Sequence, residues 1–309
     1  MAQTRLLQIA GWTCWFWWAV AEAAAEGARN RAPNRAAQVA TAEPETPRDA
    51  TWAQIPSAWY ELTPEDLDVG EDRGVCGINS LTVSSEASAC RLRIAFPEGR
   101  RAVCSGWIIG RDTVGTAGHC IYNKGAGGYA RQIYVDCGQE DACEASDDTY
   151  NAVKWVTTEG WIENGHAEEC SRFSNDGAVI KVDRAFRRRD VLTVEPYTCE
   201  RNMDFTVTGY PGSTGQGCSS YTSCVQKTAS GSIVCPSSML NGCGVLSSST
   251  LDGCAGMSGS ALISSSSNKV VGIYAAQRMG FICANYYAFL TEGPSEEGVD
   301  IWDLQDALE

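Results

Sequence analysis

The sequence predicts an all-β protein with a short helix at its C-terminal end, and three observations carry that prediction. Beyond about residue 74 the chain is a succession of short apolar or alternating segments: "RLRIAF", "SGWIIG", "QIYVDC", "AVKWVTT", "GAVIKV", "FTVTGY", "GSIVC", "ALISS" and "VVGIYA". Segments of that length, rich in Val, Ile, Thr and aromatic residues, read as strands. Clusters of Gly, Asn, Asp and Ser separate them, as turns between strands require. Only "VDIWDLQDALE" at the end has helical spacing, with Ile301, Leu304 and Leu308 on one side. No internal repeat is visible.

Taken in order, the chain opens with "MAQTR" and then "LLQIAGWTCWFWWAVAEAAA". One positive charge, an apolar stretch and small residues spaced as A-x-A at 21–23 or 23–25 read as a secretory signal peptide over residues 1–25. Gln8 and Glu22 confine the apolar run to fewer residues than a membrane span prefers, so no stable membrane insertion is expected once the leader is removed. Residues 26–74 are rich in Ala, Pro, Glu and Arg and lack a 2.0 or 3.6 period, which reads as a propeptide or linker. Within it "WAQIPSAWYEL" offers a patch that docks on the domain, and "EDRGV" offers a cleavage point after Arg73 or Gly74. Residues 75–309 remain, about 235 in all, enough to bury two sizeable cores and leaving no further folded domain to expect.

A formal charge of −14 argues against nucleic acid as a partner, because phosphates demand a basic surface. The one basic cluster, "RAFRRRD" at 184–190, reads as a solvated turn. Of 15 cysteines, Cys14 lies in the leader, and the even number left, 14, suits disulfides in an oxidising, extracellular compartment. Spacing alone does not give their connectivity; Cys137 with Cys143 and Cys218 with Cys224 are plausible local loops. With no Cys-x-x-Cys pair and only two histidines, neither a metal nor another cofactor is expected.

The chemistry lies in "LDGCAGMSGSALI", residues 251–263, where Ser258 sits among small residues just before an apolar strand. Such a cluster reads either as a plain turn or as a nucleophile whose neighbouring amides face a developing oxyanion. The second reading needs a base. His166, in the polar "WIENGHAEEC", reads as a solvated loop residue. His119 closes "CSGWIIGRDTVGTAGHC", an apolar run with turn residues, and is followed downstream by "NDGAVIKV" and "GMSGSA".

That order of His, Asp and Ser resembles the trypsin-like serine proteases of the chymotrypsin clan. The resemblance is closer to the glutamyl endopeptidase, or V8-like, branch, through "VCGINS", "FPEGRRAVCSGWIIG", "GYPG" at 209–212 and "SGSA" in place of the "SGGP" of trypsin. It implies a double barrel of two antiparallel β-barrels, residues 75–200 and 201–309, with a cleft between them. Carried over by motif, His119 is the general base, Asp176 its orienting partner and Ser258 the nucleophile. The amides of Gly256 and Ser258 form the oxyanion hole. The resemblance also implies two disulfides, Cys104 with Cys120 and Cys254 with Cys283.

Several positions depart from the family pattern. Met257 stands where trypsin-like chains place an aspartate that pairs with a newly released amino terminus, so that activation switch is missing. Gly115 and Gly118 replace larger residues, which loosens local packing. Ala275 replaces a serine that touches the aspartate. For specificity, Asp252 lies six residues before the nucleophile, where a trypsin-like pocket base would be, and Tyr274 stands where V8-like relatives carry a glutamate-binding histidine. A carboxylate there disfavours a second one, so cleavage after Arg or Lys is expected. The expectation is a secreted, monomeric serine endopeptidase acting on proteins or peptides through an acyl-enzyme. Two alternatives stay open: an endopeptidase with Glu or another preference, and a catalytically silent, protease-like binding protein.

Overall fold

Alternation along the strands decides what is buried. In β3 (Ala89–Ala95), Cys90, Leu92 and Ile94 point into a core, while Arg93 on the other face forks onto Asp136 at 2.9 and 3.0 Å. The computed structural model describes residues 40–41 and the chain from residue 81 onward, except 139–148, 166–169, 188–189, 199–202, 213–217, 219, 234–244, 279–283 and 294–297. These all lie in one unit, Asn34–Glu309. The leader, Arg73 and His166 fall outside the described residues. No described helix is long and apolar enough to cross a membrane.

The first sheet closes on itself. β3 pairs with β4 (Arg101–Ile108), β4 with β5 (Thr113–Thr116), β5 with β10 (Ala178–Val182), β10 with β9 (Thr149–Thr157), β9 with β8 (Gln132–Cys137), and β8 returns to β3, every pairing antiparallel. β9 is long enough to serve two neighbours, Thr149 to Asn151 on β8 and Ala152 onward on β10. β1 (Ala40–Thr41) adds to β9 at Lys154 and Trp155, and β6 (Tyr122–Asn123) pairs with β7 (Gly128–Tyr129) in a separate two-stranded ribbon. Leu92, Ile94, Ile108, Val114, Trp155 and Ile180 share one face by register and fill this barrel.

The second sheet runs β13 (Leu246–Ser248), β16 (Ala284–Phe289), β15 (Val270–Arg278), β14 (Ala261–Ser264), β11 (Met203–Gly209), β12 (Lys227–Ile233) and β2 (Thr82–Val83), and it curls without closing. Phe205, Val207, Leu251, Met257 and Leu262 make its core. The double-barrel architecture is therefore the expected one, with two segments crossing the division at residue 200. β2 pairs with β12 of the second sheet, and α2 (Ile301–Asp306) buries Ile301, Leu304 and Leu308 in the first core. Asp300 caps α2, its side chain accepting from the Trp302 and Asp303 N–H groups at 3.1 Å.

Some expectations need correction. α1 (Glu159–Asn164) forms in a stretch that shows no helical pattern; it is under two turns long, is capped by Thr158 and buries only Trp161. Cys137 bonds to Cys90 rather than to Cys143, because the two are register partners on β8 and β3. Cys254 bonds to Cys218 rather than to Cys283, which lies outside the described residues; the pairing of Cys218 with Cys224 is thereby excluded.

Candidate active site

Antiparallel pairing places two side chains at one end of the first barrel. β5 runs into the turn Gly118–Cys120, which carries His119, and β10 begins two residues after Asp176; Thr116 and Ala178 are partners across these strands. Asp176 is fully buried and accepts twice from His119, its Oδ1 from the backbone N–H at 2.8 Å and its Oδ2 facing Nδ1 at 2.7 Å. A carboxylate only accepts, so Nδ1 carries the proton and Nε2 is left as an acceptor. Nε2 is buried and has no hydrogen-bond partner among the described residues.

The turn that carries Asp176 is itself held. Thr157 Oγ1 donates to the Gly177 carbonyl at 2.7 Å and Thr158 Oγ1 to the Asn175 carbonyl at 2.6 Å, one on either side of the aspartate. The guanidinium of Arg172 stacks on Phe173 at 4.5 Å. Burial pulls its pKa down from the ordinary range, partly offset by the Asp176 carboxylate. Gly115 and Gly118 do not loosen the packing as expected: a Cβ on Gly115 would lie 2.5 Å from the Trp107 ring, and one on Gly118 2.6 Å from Thr157 Oγ1 and 2.8 Å from Trp161. The indole of Trp161 lies 5.9 Å from the imidazole, centroid to centroid.

Ser258 reaches this corner from the second sheet. Its carbonyl accepts from the Ser105 N–H at 2.8 Å, and Cys120 Sγ lies 3.7 Å from the same oxygen. That sulfur is bonded to Cys104 and has no hydrogen, so this is a packing contact. For the same reason the Cys104, His119 and Cys120 cluster offers a metal one imidazole and no thiolate. Gly256 has φ +88°, and a Cβ there would lie 2.6 Å from the Tyr210 carbonyl, so only glycine fits. Asp252 and Tyr274 are both buried, at 2% and 1% exposed. The end of the Tyr274 ring lies under Gly253, where a Cβ would meet its hydroxyl at 2.8 Å, and that hydroxyl donates to Asn285 Oδ1 at 3.1 Å. Asn285 Nδ2 in turn donates to the Leu251 carbonyl at 2.6 Å. The phenol of Tyr287 is pushed well above its ordinary pKa by burial, then by Tyr274 and the Asp252 charge.

Residues 78–292 match the family model for trypsin. The chain belongs to the trypsin family. Within these trypsin-like serine proteases it is 32% identical over 111 residues to the glutamyl endopeptidase of Bacillus licheniformis. That match covers 35% of this chain and 33% of the relative, so the chain spans about a third of that relative's length. The fold resembles that of a solved Glu endopeptidase, with TM-score 0.55 and 23% identity over 70% of this chain and 94% of the other. It also resembles the protease Anisep from Arthrobacter nicotinovorans, with TM-score 0.56 and 18% identity over 74% and 98%.

Two departures from the trypsin pattern now have a physical setting. Met257 is fully buried in the second core, and its thioether gives an amino terminus no carboxylate at this position. Ala275 lies in an apolar cluster with Trp161, Phe173 and Tyr286, so this position gives Asp176 no hydroxyl. The sequence reading missed Ser105, Thr157, Thr158 and Asn285. Each is a short polar residue inside or beside a strand, and its role appears only when a distant segment arrives beside it.

Proposed function

We propose that this protein is a secreted serine endopeptidase that hydrolyses peptide bonds through His119, Asp176 and Ser258, with preference for Arg or Lys before the cut. The observation that carries the reading is the His119 imidazole. Its Nδ1 is committed to a buried carboxylate, its Nε2 is an unpartnered acceptor, and the Ser258 loop packs against the turn that holds it. An acceptor so placed suits proton removal from a hydroxyl.

In the proposed cycle, Ser258 Oγ attacks the scissile carbonyl carbon and its proton passes to His119 Nε2. The carbonyl oxygen, now negative, is received by the N–H groups of Gly256 and Ser258. As the C–N bond breaks, His119 returns the proton to the leaving amine and an acyl ester remains on Ser258. Water then attacks the ester with His119 again as base, releasing the acid and restoring the serine.

Asp252 supports the basic preference. A buried carboxylate whose charge already raises the Tyr287 phenol favours a cation and repels a second carboxylate. The kinship with a glutamyl endopeptidase favours a second reading, cleavage after Glu. Extracellular protein substrates, a monomeric state and no nucleic-acid partner complete the proposal.

One experiment separates these readings: digestion of a mixed peptide library by the secreted, trimmed protein, with Ser258→Ala and Asp252→Ser alongside and fluorophosphonate labelling as a parallel readout. Cuts after Arg and Lys, lost in both variants, are expected, with labelling lost in Ser258→Ala. The Ser258→Ala precursor should also stay uncut at Arg73 if the enzyme trims itself. Cuts after Glu would establish the second reading, and a wild-type protein that neither cuts nor labels would point to a silent binding protein or to an unmet activation step.

A further inference from the structure

The polar groups around Ser105 converge on the loop that carries the proposed oxyanion donors. Ser105 lies in β4 of the first barrel and is fully buried. Its hydroxyl donates to the Gly256 carbonyl at 2.8 Å and accepts the Tyr210 N–H at 2.9 Å. Its own N–H donates to the Ser258 carbonyl at 2.8 Å, and its carbonyl accepts from Thr116 Oγ1 at 2.8 Å. One residue of the first barrel thus holds two carbonyls of the nucleophile loop.

The consequence follows from peptide planarity. In a trans peptide the C=O and the N–H point in opposite directions, so an anchored carbonyl fixes the direction of the N–H that follows it. The Ala255 carbonyl accepts from the Gly212 N–H at 2.5 Å, which aims the Gly256 N–H the other way; the Met257 carbonyl accepts from the Ser260 N–H at 2.9 Å, which does the same for the Ser258 N–H. The peptide between these two, from Gly256 to Met257, is held by the Ser105 hydroxyl at its carbonyl and by the Cys254 carbonyl, 3.0 Å away, at its N–H. Rotation of that middle plane would move both flanking donors. A hydroxyl accepts one bond and donates another through one atom, and an alanine would leave the buried Tyr210 N–H and Gly256 carbonyl without it.

We infer that Ser105 is a positioning residue for transition-state binding: its hydroxyl fixes the middle peptide so that the Gly256 and Ser258 N–H groups converge on one oxygen. The inference rests on the proposed acyl-transfer mechanism and deepens it. It differs from a packing role because it concerns only ligands that carry a carbonyl-derived oxyanion.

The test compares three ligands of one peptide sequence, taken from the best library substrate, on active-site-titrated enzyme. They are the substrate, its C-terminal aldehyde, whose hemiacetal oxygen would occupy the hole, and a reduced-bond isostere that has no carbonyl at the scissile position. In Ser105→Ala, kcat is expected to fall about 10- to 100-fold, less than or comparable to the loss of a direct donor, with KM within about threefold. The aldehyde should weaken in the same proportion as kcat, and the isostere should bind unchanged. Ser105→Thr keeps the hydroxyl and should stay close to wild type. If Ser105→Ala does not fold, Ser105→Cys, similar in size and a weaker donor, takes its place with the same aldehyde-to-isostere ratio read out. Wild-type aldehyde affinity in Ser105→Ala, equal weakening of aldehyde and isostere, or a Ser105→Thr as impaired as Ser105→Ala would overturn the inference. A wild-type enzyme that neither cleaves the substrate nor binds the aldehyde would instead overturn the proposed mechanism.

Discussion

Asp176 directs both of its oxygens at one residue, so a change there alters two contacts with His119 at once. An amide in its place has one acceptor and one donor. If the NH2 faces Nδ1, the imidazole must carry its proton on Nε2 and has no lone pair for the serine proton; if it faces the His119 backbone N–H, two donors meet in a buried place. Asp176→Asn is therefore expected to lower kcat by on the order of 10⁴, the size of the tautomer effect in triads of this type. Steady-state kinetics, with the tautomer read from ¹⁵N shifts of the imidazole, checks it, and a loss under tenfold would remove Asp176 from the mechanism. At this scale the sequence was informative because motif residues lie in short, ordered strings. "TAGHC", "NDGAVIKV" and "GMSGSA" locate three side chains, and the structure brings the first two into contact. Thr157 and Thr158 were not legible in the same way, since a threonine in a strand is ordinary until the carbonyls of Gly177 and Asn175 are found beneath its hydroxyl.

Between elements, the loop that carries Ser258 passes close to the end of β4 and β5. Gly259 has φ +87°, and a Cβ there would lie 2.2 Å from Thr116 Oγ1 and 2.3 Å from the Ser105 carbonyl. The second contact is backbone and cannot turn aside. Gly259→Ala should therefore cost about 2 to 5 kcal/mol, combining left-handed strain with overpacking, and should suppress labelling of Ser258. Gly293 is the control, with φ +80° and nothing within 4 Å of a Cβ. Gly293→Ala carries the conformational cost alone, about 1 kcal/mol. Urea titrations of the two variants measure the difference, and equal losses would mean that conformation and not contact explains Gly259. Short apolar or alternating runs in the sequence located nine segments that overlap strands, whereas β5, "TVGT", was not read as one. It has four residues and little contrast between its faces, and it is a strand because β4 and β10 flank it. The Cys104–Cys120 bond is the expected one, whereas the local pairing expected for Cys137 failed for a related reason: Cys90 and Cys137 are 47 residues apart in sequence yet opposite each other in the sheet.

For the whole molecule, the acidic balance and the double-barrel topology were open to sequence reasoning, while the way the halves exchange segments was not. β2 pairs with the second sheet and α2 packs on the first core, so these two segments tie each half to the other. Such crossing shows in no local period. The fold has a further global consequence at alkaline pH, through its tyrosines. Burial, then the neighbouring Tyr122, pushes the Tyr129 phenol up to about 12, and the two rings meet edge-on at 5.0 Å. Burial also raises Tyr134, Tyr197 and Tyr287. A phenol whose folded pKa is raised stabilises the fold fully below its unfolded pKa of about 10. Between that value and about 12 the unfolded chain releases the proton while the folded chain keeps it, so stability falls as pH rises. The chain already carries −14, and added phenolates bring general repulsion as well. Salt screens the repulsion between exposed charges but acts much less on a buried group. In high salt, unfolding free energy measured by denaturant titration across this window should therefore still decline for wild type, and decline less steeply for Tyr129→Phe. Tyrosine absorbance should show phenols that titrate late in the folded protein and together after unfolding. Identical slopes for wild type and Tyr129→Phe in high salt would assign the alkaline loss to surface charge and leave the buried phenol without a part in it.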